Sequence, residues 1–318
     1  MAWLVTGAAG YLGSHLIRQP GDWVGMDSLV SGSRDRVPDG VPLEVADITD
    51  RTAVDAILAH HPIEGVVHLA ALKSVPDSMS DPAAYERTNV SGTRTLVEAM
   101  SARGIRHLVL ASSAAVYGPV DERLGHAIDE STALHPANPY GETKVAAERI
   151  VEEFAATAGG GCAILRIFNV AGIEVGLDPE ASAGGVIFAA VEAAFADTPF
   201  DLTGSDYPTP DGTCVRDYVH VVDVARALAA AAERATGLEA RTITANIGTG
   251  RGTSVLGVVD AVQRVTGRAL DVERRPRRAG DIPVAVASVE AAKRELGWTP
   301  ALDLDRMITG LWGSLNRV

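Results

Sequence analysis

Leu4-Val5-Thr6-Gly7-Ala8-Ala9-Gly10-Tyr11-Leu12-Gly13-Ser14-His15-Leu16 stands at the head of the chain, and its reading decides the fold. Residues 3–6 are a short apolar run that passes directly into glycines at 7, 10 and 13. The run predicts a strand, and Ser14-His15-Leu16 predicts a helix. Glycines at such a junction allow a tight turn and a close approach of the main chain to a pyrophosphate, whose charge then faces the helix N-terminus. Gly7, Gly10, Tyr11, Leu12 and Gly13 are therefore expected cofactor contacts. Pro20-Gly21 ends the helix early without touching its first turn. A second apolar run, 23–26, leads straight to Asp27, 20 positions after Gly7. A carboxylate there accepts hydrogen bonds from an adenosine ribose and repels a 2′-phosphate, which favours NAD over NADP.

The same unit repeats outward from this start. Apolar runs at 43–46, 65–69, 107–112 and 162–168 alternate with helical patterns such as 89–103 and 140–157, where apolar residues recur at three and four. Strands apolar throughout, alternating with helices, predict an α/β fold with a doubly wound parallel (Rossmann) sheet over 1–170. Beyond 170 the rhythm breaks. A glycine- and acid-rich stretch at 172–185, a helical run at 186–195, a loop at 204–212, a strand at 242–247 and a helix at 255–265 follow. They read as a smaller C-terminal substrate-binding lobe over 171–318, with parts of 213–250 expected to complete the sheet.

Composition narrows the class. With 47% hydrophobic and 22% charged residues, the 318-residue chain can bury a full core, which excludes a disordered or fibrous protein. No apolar run approaches the ~20 residues a spanning helix needs. The opening strand leaves no room for a secretory signal, so a soluble cytoplasmic protein is expected. Twenty-eight basic against 41 acidic residues give a net charge of −13, the wrong sign for nucleic acid or an anionic membrane surface. Cys162 and Cys214 show neither disulfide nor zinc spacing and read as small buried residues; no metal is expected.

Two further strand ends carry chemistry. Asp47-Ile48 follows the third strand, placed either to touch adenine or to cap a helix. Leu69, Ala70, Ala71 and Lys73 follow the fourth, at the carboxyl edge where ligands of such sheets collect. The sharpest constellation is Ser112-Ser113 after the fifth strand, with Tyr140-Gly141-Glu142-Thr143-Lys144 opening a helix. Four-residue spacing puts Tyr140 and Lys144 on one helical face. A nearby ammonium is expected to lower the tyrosine pKa from its usual ~10 and make Tyr140 a general base. Ser113 is placed to share the proton and hold a substrate hydroxyl.

These residues resemble the extended short-chain dehydrogenase/reductase superfamily. Arg166-Ile167-Phe168-Asn169-Val170-Ala171-Gly172, the run Asp211-Gly212-Thr213-Cys214-Val215-Arg216-Asp217-Tyr218, then Arg277-Arg278-Ala279-Gly280-Asp281 and Leu296-Gly297-Trp298 are similar to the UDP-glucose 4-epimerase family, over nearly the whole chain. The resemblance implies bound NAD, a UDP-sugar substrate, a homodimer, and inversion at C4 through a transient 4-keto sugar, with Tyr140 moving the proton. It implies cofactor contacts at Asn89, Ser112, Tyr140, Lys144 and Phe168. Lys73, Ser113, Ala114, Tyr140, Asn169, Gly184, Gly185, Arg216, Arg278, Asp281 and Ala285 would meet the sugar nucleotide. Arg216 and Arg278 would clamp the diphosphate, as suits guanidinium–phosphate pairing.

Two stretches depart from the family pattern. Ser182-Ala183-Gly184-Gly185-Val186 lacks the usual side-chain amide, so a diphosphate contact would either be lost or be taken over by the Gly184 and Gly185 main-chain amides. Ala285 stands where some members place a tyrosine, leaving room for a substituted sugar such as an N-acetylated one. The competing readings are a 4,6-dehydratase or decarboxylase of the same fold, a UDP-uronic acid 4-epimerase, and a non-catalytic NAD sensor. The lyases need carboxylates where this chain has Ala114 and Ala115, and a sensor would be expected to lose the Tyr140/Lys144 pair that is present.

Overall fold

A computed structural model describes residues 1–119, 127–174, 177, 185–278 and 281–316. The strands are β1 (Ala2–Thr6), β2 (Trp23–Asp27), β3 (Leu43–Val45), β4 (Ile63–His68), β5 (His107–Ser113), β6 (Gly161–Ile167), β7 (Asn169–Ala171), β8 (Phe200–Thr203), β9 (Val215–His220), β10 (Arg241–Ile247), β11 (Gly252–Ser254), β12 (Val272–Arg275) and β13 (Val284–Ala285). The helices are α1 (Tyr11–Leu16), α2 (Arg51–His60), α3 (Val75–Ser80), α4 (Pro82–Tyr85), α5 (Gly92–Ala102), α6 (Pro139–Ala158), α7 (Val186–Ala196), α8 (Val221–Thr236), α9 (Val255–Thr266), α10 (Glu290–Leu296) and α11 (Leu304–Leu315).

Seven strands form one sheet in the order β10-β6-β5-β4-β1-β2-β3, and every ladder in it is parallel. All five residues of β1 and all seven of β6 are buried, which is why these strands read as nearly continuous apolar runs, interrupted in β6 by Arg166. The chain winds outward from β1 through β2 to β3 and then returns to β4 on β1's other side. Strand order therefore reverses between β1 and β4. A crevice opens at their carboxyl ends, where ligands of open α/β sheets bind.

Both faces are covered. On one, Val5, Val67, Val109 and Leu165 pack against α8, whose buried Ala225, Ala227, Ala231, Ala232 and Ala235 let the helix lie close to the strands. On the other, Leu4, Val66, Leu108 and Ile164 pack against α2, α5 and α6. A third cluster joins α7, α9 and α11 with β8, which pairs in parallel with β12, and so forms the core of the lobe. The lobe also carries β9, antiparallel to β11 and parallel to β13 and β7. Residue 170 is not a physical boundary, since α8, β10 and α10 return to the large sheet and place Leu228, Ile243 and Ala292 in its core.

Two local expectations need correction. The helical pattern over 89–103 is regular α-helix only from Gly92, because Glu86–Ser91 winds as a wider π-helical turn containing Asn89. The aspartate that caps α2 is Asp50, whose side chain accepts from Thr52 and Ala53 N–H at 3.0 and 3.1 Å. Asp47 instead folds back on Thr49, three residues too early to cap.

Candidate active site

The glycine turn lies at the switch point. Gly7 has φ +73°, and a Cβ there would come within 2.9 Å of Ala70 N, so β1 and the segment after β4 approach each other as only glycine permits. A Cβ at Gly13 would sit 2.1 Å from Gly7 O, which closes α1 onto its own turn. Gly10 caps α1 without a side-chain acceptor. The helix has only six residues, so its aligned dipoles are few and anion binding here rests on the amides of the turn. His15 fastens this turn to the lobe: Nδ1 donates to Tyr11 O at 2.8 Å, and Nε2 accepts from Glu174 N–H at 3.2 Å. Tyr11 donates its hydroxyl to Gly172 O, and Lys73 Nζ lies 5.7 Å from its ring centroid.

Asp27 closes β2 with one carboxylate oxygen accepting from Ala9 N–H at 2.9 Å and the other from Leu29 N–H at 2.8 Å. The two amides aim the carboxylate at the mouth of the glycine turn. Leu69 and Ala70 enter the crevice from β4, their N–H groups donating to Thr6 Oγ1 at 3.2 Å. Two expected cofactor side chains point elsewhere. Ile48 is buried under α5, where a Cβ on Gly92 would meet its Cγ2 at 2.8 Å, so only its main chain remains for a ligand. Ser112 donates its hydroxyl to Glu148, away from the crevice. That carboxylate forms a buried two-pronged pair with Arg166, at 3.0 Å from Nε and 2.8 Å from Nη2.

Tyr140 is placed by the start of α6. Asn138 accepts from Gly141 N–H at 2.9 Å, and Pro139 presets the first turn. Ser113 ends β5 opposite, accepting from Ala115 N–H at 3.2 Å and sharing a hydrogen bond with the Tyr140 hydroxyl. The Tyr85 ring meets that of Tyr140 edge-on, 6.3 Å between centroids. Lys144 Nζ stands 5.9 Å from the Tyr140 centroid and donates to Ala111 O at 2.9 Å.

The charge balance differs from the sequence expectation. Loss of water around the Tyr140 hydroxyl pushes its pKa above the ordinary 10, and only the Ser113 hydrogen bond pulls it down. Lys144 supplies no such pull. Burial lowers its own pKa to about 8, against the opposing charge of Glu148, and its ammonium is engaged by Ala111.

At the lobe side Arg216 is anchored to Val215 O at 3.0 Å and lies 3.7 Å from Asp281. Ala285 pairs with Arg216 across β13 and β9, and is buried with Tyr117, Val145 and Phe168. Asn169 and Arg278 are exposed, Ala114 and Gly185 partly so, and Ala71 flanks the β4 exit. Gly184 lies outside the described residues. The sequence reading singled out no role for Tyr218. Its buried hydroxyl has no hydrogen-bond partner among the described residues and neighbours Arg216 and Asp281, with burial pushing it up to about 12. A buried unpaired hydroxyl is costly, and a ligand donor or acceptor would satisfy it. Its signal was its place two residues after Arg216, on the same face of β9.

The family model described as the NAD dependent epimerase/dehydratase family matches residues 3–248. A UDP-glucose 4-epimerase of Lacticaseibacillus casei is 39% identical over 319 residues, covering 97% of this chain and 95% of its own. The structure of the UDP-glucose 4-epimerase of Stenotrophomonas maltophila, with bound NAD and formylated UDP-arabinopyranose, superposes with a TM-score of 0.93 at 36% identity, covering 100% of this chain and 98% of that one. The UDP-Glc/GlcNAc 4-epimerase of Campylobacter jejuni superposes with a TM-score of 0.84 at 31% identity, covering 100% and 99%.

Proposed function

The chain belongs to the NAD dependent epimerase/dehydratase family, and from that premise we propose that it is an NAD-dependent UDP-sugar 4-epimerase of the UDP-glucose/UDP-galactose type. The observation that carries this reading is one crevice holding both halves of the chemistry, a glycine cradle from β1 and the Ser113, Tyr140 and Lys144 group from β5 and α6.

The residues fit NAD. Side chains at Gly7 and Gly13 would fill the cradle, and Asp27 presents an oriented carboxylate suited to ribose hydroxyls. The turn amides of 10–13 would receive the pyrophosphate, Asp27 the adenosine ribose, and Lys144 the second ribose. When bound, NAD supplies reversible hydride acceptance at the sugar C4. Tyr140, as the phenolate that the Ser113 hydrogen bond favours, takes the proton of the 4-hydroxyl and returns it after the 4-keto sugar has turned over. Ser113 holds the same oxygen and shares the proton. Arg216, Arg278 and Tyr218 hold the nucleotide diphosphate, which leaves the sugar free to rotate while its handle stays fixed. Because that hydride acceptance is reversible, the hydride would return to C4 and no net oxidation results, while Tyr140, having taken and returned the proton, ends the cycle in its starting state.

Ala114 and Ala115 bear no carboxylate beside Tyr140, which supports epimerisation over dehydration or decarboxylation. Small Ala285 favours acceptance of an N-acetylated sugar as well, in keeping with the Campylobacter jejuni relative. A cytoplasmic homodimer is part of the same proposal. Among the described residues no helix is long and apolar enough to cross a membrane. Incubating the purified protein with UDP-galactose and following the sugar by NMR tests the assignment. A stable mixture of the two C4 epimers is expected, whereas a 4-keto-6-deoxy product or an unchanged substrate would overturn it.

A further inference from the structure

A buried chain of hydrogen bonds runs beneath the crevice from the end of β1 to the first turn of α6, and its polarity can be assigned from the far end backwards. Thr143 donates to Tyr140 O at 2.8 Å, so its oxygen is an acceptor for Asn89 Nδ2 at 3.0 Å. Asn89 also donates to Leu72 O at 3.0 Å and accepts from Leu72 N–H at 2.8 Å. That fixes the amide orientation and clamps both main-chain groups of Leu72. Thr93 donates to Asn89 O at 2.6 Å, so its single proton is spent. His68 Nε2, 3.0 Å away, must then be the donor. In a neutral imidazole the other nitrogen accepts, and Thr6 Oγ1 lies 2.7 Å from Nδ1. Thr6 is free to donate because its oxygen accepts from Leu69 and Ala70 N–H.

We propose that His68 is a positioning residue: neutral and protonated on Nε2, it is the link between Thr6 and Thr93 in a buried chain that continues through Asn89 to Thr143 and holds α6, and with it Tyr140, in register with the cofactor edge. The proposal rests on the epimerase reading for what Tyr140 does, but not for the chain itself. Thr6, His68, Asn89, Thr93 and Thr143 are all buried, so no water completes a broken link. A second proton on His68 would face Thr6, whose acceptor sites already receive two amides. Burial and the nearby Lys144 ammonium, the charged group facing the ring, act in the same sense and hold the imidazole at a pKa of about 3. Asn89 lies in the π-helical turn Glu86–Ser91, a local widening of the kind that recurs at functional sites.

The test uses the holoenzyme and an isosteric pair. Thr93→Val keeps volume and removes both the acceptor for His68 and the donor to Asn89, whereas Thr93→Ser keeps the hydroxyl. Thr93→Val is expected to lower kcat by about 10- to 100-fold, as small misplacements of a reacting group do, with KM for UDP-galactose and retained NAD nearly unchanged. Thr93→Ser should recover most of the rate. Unchanged kcat in Thr93→Val, or a loss that serine does not recover, overturns the proposal. Nitrogen-15 NMR of the His68 ring reads the chain independently of any activity. The Nε2–H tautomer, without titration between pH 5 and 8, is expected; the Nδ1–H tautomer or a titrating ring overturns the proposal even if the enzyme epimerises, and the expected tautomer stands even if it does not.

Discussion

Lys144 reaches back across 2.9 Å to the main-chain oxygen of Ala111, two residues before Ser113, and so ties the acid/base helix to the strand end that carries the hydroxyl partner of Tyr140. The bond makes Lys144 a strut as well as a cation. Burial also limits the ammonium's effect on the tyrosine: with Lys144 lowered to about 8, most of its charge is gone before a tyrosine pushed above the ordinary 10 ionises.

Tyr140→Phe should retain NAD while lowering turnover by the ~10²–10⁴-fold typical of a lost acid/base group. Ser113→Ala should move the rising limb of the kcat pH profile upward, because the hydrogen bond that pulls the Tyr140 pKa down is gone. A Ser113→Ala profile superimposable on the parent would show that this hydroxyl does not tune the base.

Acid should weaken the fold through three buried histidines. His15 and His220 are lowered to about 4 and His68 to about 3, chiefly by burial. The unfolded chain binds their protons near the ordinary 6.5, so their contribution is complete above that pH and is lost progressively as pH falls towards 3–4. The slope approaches about 1.4 kcal/mol per histidine per pH unit. Urea denaturation at pH 7.5, 6 and 5 should give falling midpoints; equal midpoints would mean that these rings are protonated in the folded protein.

Asp27 should decide the choice of cofactor. Nucleotide released from the denatured protein is expected to be NAD, and NADP in its place would contradict the role of the carboxylate. Asp27→Ala should weaken NAD binding by roughly 10- to 150-fold, the range for a lost hydrogen bond to a charged group of about 1.5–3 kcal/mol. Calorimetric titration of cofactor-free protein would measure it.

Ala285→Tyr should exclude the larger substrate selectively. Adding a ring to a packed site costs roughly 1–3 kcal/mol, or about 5- to 150-fold. The ratio of kcat/KM for UDP-N-acetylglucosamine to that for UDP-glucose should fall by this factor, and the ratio cancels any general loss of folded protein. Equal losses on both sugars would place Ala285 outside the sugar pocket.

The doubly wound sheet was readable from residues 1–168 because strands covered on both faces have to be apolar throughout, and the Tyr140/Lys144 pairing because a spacing of four is itself the geometry of a helix. Glycines at 7, 10 and 13 are equally local, since the turn they permit closes within the same stretch. Tertiary packing alone brought Arg241–Ile247 beside β6, turned Ile48 and Ser112 away from the crevice, and left the Tyr218 hydroxyl without a partner among the described residues. It also set the charge balance at Tyr140 and aligned Thr6, His68, Thr93, Asn89 and Thr143 from five separate elements. Pattern and spacing constrain atoms a few residues apart, whereas desolvation and long-range hydrogen bonds depend on which remote segments exclude water from the same volume, and only the folded chain decides that.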